Sequence, residues 1–188
     1  MKPKALTQLD DLMAQAEGYA NFLMRKNGRV PPTVLAATPK GVLCYVPHDL
    51  ADVRAKDNFA NASRLICAAY GATAVVMALE AWVTMAKPGE ALDDTPPSEA
   101  FDRREVVVLM GEAVGQKKQK MLPIIRTDAG GFFGFGEFDS TSYTGFQGRF
   151  VGLLPPKVPN AEQRALAKAM LEMLGVTDAT LGRGFPRN

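Results

Sequence analysis

The stretch YGATAVVMALEAWVTMA, residues 70–86, constrains this chain more than any other segment. Either the helical pattern before it continues unbroken, or Gly71 stops that helix and opens a buried strand. Continuation to Ala86 would need a helix of more than about thirty residues, against a mean of about 11–12 in globular proteins. It would also place Gly71 mid-helix, at a cost of about 1 kcal/mol relative to Ala. Val75, Val76, Trp82, Val83 and Thr84 favour a pleated surface, while Met77, Ala78, Leu79 and Glu80 pull towards helix. As a strand, Val75, Met77, Leu79, Ala81 and Val83 share one face, and Val76, Ala78, Glu80, Trp82 and Thr84 the other. Both faces are mainly apolar, as in a central strand covered on both sides. We expect a strand.

Helices are expected on either side of it in sequence. Leu6, Leu9, Leu12, Met13, Ala16, Tyr19, Phe22 and Leu23 recur at spacings of three and four, and Asn27-Gly28 ends that stripe. Two β-rich runs, 33–37 and 42–46, flank the turn TPKG and read as a hairpin. Asp49 is placed to cap a second helix that runs to Gly71. After the long strand, residues 87–104 form a Pro-rich acidic loop. EVVVLMGEAV and KMLPIIRT follow as strands around a basic turn, GQKKQ, and GGFFGFGEF as a third strand, with a further short one at 149–153. A last helix is expected from Asn160, whose partner Gln163 completes a capping box, to Gly175, with Leu166, Met170, Leu171 and Leu174 as its apolar stripe. The fold class is therefore α+β: an antiparallel sheet of about five to six strands flanked by helices, in the order α-β-β-α-β-β-β-β-α. Residues 1–175 read as one domain and 176–188 as a flexible tail. This element order resembles the roadblock and the profilin- or PAS-like scaffolds, which host sensors, adaptors and enzymes alike.

A net charge of +2 over 188 residues gives no overall field for nucleic acid or an anionic membrane. Residues 26–29, KNGR, and 116–120, QKKQK, are basic but read as solubilising turns, which argues against nucleic acid. No apolar run approaches ~20 residues, and Asp10 and Asp11 precede any apolar run, so neither a membrane span nor a secretory signal is expected. Cys44 and Cys67 lie in apolar segments and read as reduced thiols of a cytoplasmic protein, with one buried disulfide as the alternative.

Motifs for catalysis are thin. GGFFGFGEF has the glycines of a phosphate cradle but no helix after them, and reads as a strand in which Phe132, Gly134, Gly136 and Phe138 share a face. His48 is the single histidine, and the acidic run Asp93, Asp94, Glu99, Asp102 matches no calcium loop, so we expect no metal and no cofactor. Ser98, Ser140 and Ser142 lack a nucleophile elbow, and no catalytic residue is assigned.

One grouping stands above these. EAW at 80–82 and PPSEAFDRREV at 96–106 lie on strands that can pair, bringing Glu80 near Glu105 or Arg103. A carboxylate on an apolar strand face needs an ion pair or hydrogen bonds. The plain reading is a salt-bridge cluster that anchors the loop. The functional one is a ligand pocket of Glu80, Trp82, Ser98, Arg103, Glu105 and Arg126, with Glu80 or Glu105 as a base raised by burial. The pattern Glu-Ala-Trp, Pro-Ser, Asp-Arg-x-Glu resembles a group of uncharacterised bacterial proteins over residues 50–126, and the resemblance implies no activity. We expect a non-catalytic interaction or accessory protein, a homodimer or the binder of a protein partner through a sheet edge or helix face. A small-molecule binder or metal-independent enzyme using that pocket is the alternative.

Overall fold

In the computed structural model, which describes residues 8–48, 50–84, 95–96, 98–137, 148–178 and 180–183, Gly71 does end the helix before it. Its φ of 62° and ψ of 48° are left-handed, a conformation that Gly adopts without a Cβ penalty, and Ala72 N–H bonds back to the Cys67 carbonyl at 2.9 Å. The elements are α1 (Gln8–Asn27), β1 (Thr33–Thr38), β2 (Gly41–Tyr45), α2 (Val53–Tyr70), β3 (Ala74–Val83), β4 (Arg104–Ala113), β5 (Gln116–Arg126), β6 (Phe132–Phe135), α3 (Ala161–Met173) and β7 (Gly182–Arg183). The fold is α+β, with an antiparallel sheet in the order β6-β5-β4-β3-β1-β2-β7.

β3 lies inside the sheet, between β1 and β4, and its two apolar faces serve two cores. Ala74, Val76 and Ala78 meet α1 through Leu9, Leu12, Met13, Ala16 and Ala20. Val75, Met77 and Leu79 meet α2 through Phe59, Ala62, Ile66 and Cys67. α1 sits close because β4 carries Gly111 beneath it: a Cβ there would stand 2.7 Å from Met13 Sδ. Lys118 with Asp10 and Lys120 with Glu17 (2.6 Å) tie β5 to the same helix at the surface. α3 packs outside α2, so that side of the sheet has two helical layers.

Several expectations change. Asp52, not Asp49, caps α2, its Oδ1 accepting Ala55 N–H at 2.7 Å, and Asp49 lies outside the described residues. The β4–β5 turn is Val114-Gly115, and GQKKQ runs on into β5, because Gly115 with φ 69° reverses the chain in two residues. β6 stops at Phe135 after a register shift, so Phe132 and Phe135 both pack on the α1 core, and Phe138 lies outside the described residues. Residues 149–153 form no strand; the main-chain partners of 151–153 are side chains. The segment after Gly175 is no free tail as far as residue 183: Val176 and Leu181 are buried, and Gly182 pairs with Cys44 as part of a seventh strand. Of the α3 stripe only Leu171 is buried, because the helix presents Leu166, Met170 and Leu174 outward.

Candidate functional site

Antiparallel pairing assembles the grouping that the sequence singled out. Trp82 of β3 stands directly opposite Glu105 of β4, and Glu80 opposite Val107. Arg126, at the end of β5, binds Glu105 through both carboxylate oxygens, Nε to Oε2 at 2.7 Å and Nη2 to Oε1 at 2.5 Å. Arg103 stacks on Trp82, its Cζ 4.6 Å from the ring centroid, and donates to the Ser98 carbonyl. Ser98 therefore takes part through its main chain.

Glu80 does not take the arginine partner expected of it. Its Oε1 accepts the Val30 N–H at 2.5 Å, where the chain leaves α1 for β1. Burial lifts this carboxyl above its ordinary range; the Val30 N–H opposes the shift, Glu105 adds to it, and Arg126 and Arg29 oppose it. The fold thus favours the protonated acid. That contribution to stability is full below the ordinary value of 4.5 and is lost as pH rises through the folded value. Glu80→Gln keeps an oxygen for Val30 and removes the titration. Its Tm is expected to equal or exceed the wild-type value near neutral pH, with the gap closing towards pH 4.5 in thermal melts followed by circular dichroism. A variant several degrees less stable near neutrality would instead mark ionised Glu80 as a stabilising ion-pair partner.

Chemically the cluster is self-satisfied. Glu105 and Arg126 neutralise each other, Arg103 lies on an aromatic face, and Glu80 holds a backbone donor. Nothing here resembles an aligned nucleophile and base. The thiols add none. Burial pushes Cys44 up and Cys67 to about 12, and the two free cysteines lie in the cores on opposite sides of the sheet. Among the described residues no three His, Cys, Asp or Glu side chains converge as metal ligands, and no helix is long and apolar enough to cross a membrane.

Two cavities of about 480 Å³ lie elsewhere. One, at the β4–β5 turn, is lined by Glu112, Lys117, Gly152 and Pro155 among others. Glu112 was not singled out from the sequence. It is buried, and its two oxygens accept Gly152 N–H at 2.7 Å and Leu153 N–H at 3.2 Å. Its signal is an acid at the far end of the apolar run VVVLMG.

The other cavity is a groove between α2 and α3, lined by Asn58, Asn61, Arg64, Leu65, Met170, Met173 and Leu174. Arg64 donates to the carbonyls of Arg149, Val151 and Gly152 and to Asn61 Oδ1, so no described acid neutralises it. Along the groove and beside it, α3 leaves Leu166 62%, Met170 45%, Met173 87% and Leu174 48% exposed. No protein family, curated protein or solved structure matches this chain. The sequence AEQRALAKAMLEM carries this face in Leu166, Met170 and Met173, which recur at spacings of four and three.

Proposed function

We propose that this protein is a non-catalytic interaction or accessory protein whose docking surface is the α2–α3 face. The observation that carries the reading is the outward apolar side of α3: Leu166, Met170, Met173 and Leu174 form one contiguous row beside a groove. Exposed apolar patches of this kind mark interaction sites, and Met adapts its shape to what it meets. The mutual pairing of Glu105, Arg126, Arg103 and Trp82 supports the same reading, since it leaves the other candidate site its structural role of holding three strand ends together. Two free, buried or half-buried thiols on opposite sides of the sheet support a cytoplasmic setting.

The test is co-purification of the tagged chain from its native cells, with Met173→Glu and Glu80→Gln alongside. A bound protein is expected with the wild type and with Glu80→Gln, depleted at least about tenfold with Met173→Glu, the equivalent of about 1.4 kcal/mol. Recovery indifferent to residue 173, or a metabolite that raises the melting temperature of the wild type but not of Glu80→Gln, would move the function to the Glu80 cluster.

A further inference from the structure

We infer that the occupant of the α2–α3 face is a second copy of this chain, its α3 laid antiparallel on the first about Met170. The inference rests on the reading of that face as a docking surface and adds what covers it.

On the α3 wheel, Leu166, Ala169, Met170, Met173 and Leu174 share the outward side. The charged residues are drawn off it. Arg164 turns back to the Pro159 carbonyl at 3.0 Å and lies against Gly71. Lys168 and Glu172 line a separate cavity with Tyr70 and Asp178 on the far flank. Only Glu162 remains, at the N-terminal end of the row.

α2 runs antiparallel to α3, since Gly71 at its end meets Arg164, while Asn58 and Asn61 share the groove with Met173 and Leu174. Arg54 continues the Asn58, Asn61, Leu65 row by one turn, and Asp57 nearby is already held by Arg149 at 2.6 Å. The face is therefore acidic at the start of α3 and basic at the start of α2, while Arg64, midway along the groove, has its charge spread over the carbonyls of Arg149, Val151 and Gly152 and the Asn61 side chain. A two-fold pairing about Met170 sets each Glu162 end over the Arg54 end of the other copy, and Leu166 over Leu174. A parallel pairing would set Glu162 on Glu162. An apolar row that is its own complement suits an isologous interface, and a net charge of +2 leaves little repulsion between copies.

Size-exclusion chromatography with light scattering on the full chain, at roughly 100 μM, tests this. The expected mass is twice 20.3 kDa. Leu166→Glu and Met173→Glu, both on exposed positions that cannot unfold the chain, are expected to weaken association more than about a hundredfold, because each copy would bury an uncompensated carboxylate. Their circular dichroism and melting temperature stay at wild-type values. Glu162→Arg and Arg54→Glu should each weaken the dimer about fivefold, and the two together restore it. A monomer throughout overturns the inference, as does a dimer indifferent to Leu166→Glu and Met173→Glu, or a double charge swap that fails to restore. A monomer whose co-purified partner still depends on Met173 overturns this inference alone and leaves the docking surface standing.

Discussion

Glu112→Ala is expected to destabilise the protein by about 2–4 kcal/mol in urea denaturation, each stranded donor costing about 1–3 kcal/mol. Glu112 is 5% exposed and is the acceptor for two consecutive N–H groups, Gly152 at 2.7 Å and Leu153 at 3.2 Å. Leu153 is itself buried, so its N–H loses its acceptor where little water reaches it once the carboxylate is gone. Gly152 is exposed and can hydrate, which makes the Leu153 bond the larger share. Glu112→Gln keeps one acceptor oxygen and is expected to lose about half as much. The consequence reaches the docking face. Residues 149–152 are also gripped by Arg64, and the chain leads from them through Pro155 and Pro156 to the Asn160 cap of α3. Loosening this segment should weaken whatever binds α3. A loss below about 0.5 kcal/mol, the range of ordinary surface changes, would show that Glu112 anchors nothing.

Phe59→Ala should cost about 3–5 kcal/mol, the largest loss among the replacements considered. Phe59 is almost wholly buried, with Tyr45 at 5.5 Å and Phe150 at 5.7 Å between ring centroids. It joins α2, β2 and the segment that Glu112 holds. Phe101→Ala is the control, since Phe101 is fully exposed and its removal should change stability by less than about 0.5 kcal/mol. Because both sites act on residues 150–153, the double variant Glu112→Ala, Phe59→Ala is expected to lose less than the sum of the two. Strict additivity would mean that the two supports are independent.

The helix stop at Gly71 and the strand Ala74–Val83 after it turn on neighbours in sequence. Gly71 in a left-handed conformation, the alternation along β3 and the Asn160–Gln163 box are all decided within about four residues. The nearness of Glu80, Trp82 and Glu105 was also legible, because β3 and β4 follow one another and adjacent antiparallel strands bring predictable positions together, whereas the Glu105–Arg126 pair and the Trp82–Arg103 stack were not foreseen as pairs. Glu80 was legible as a buried acid needing a partner, yet its partner is a backbone N–H fifty positions earlier, which no spacing rule encodes.

The amino-acid order by itself therefore determined the class of the fold, strands β1 to β6 and the polar grouping at the ends of β3 to β5, since each depends on period, capping or pairing of consecutive strands. Only the tertiary structure decided which way α3 faces, that Glu112 holds a loop forty residues away, and that Gly182 and Arg183 close onto β2. Those choices are made by how distant segments compete for the same buried surface. Leu166 and Leu171 are equally apolar, and nothing local records that one lies against α2 and the other against solvent.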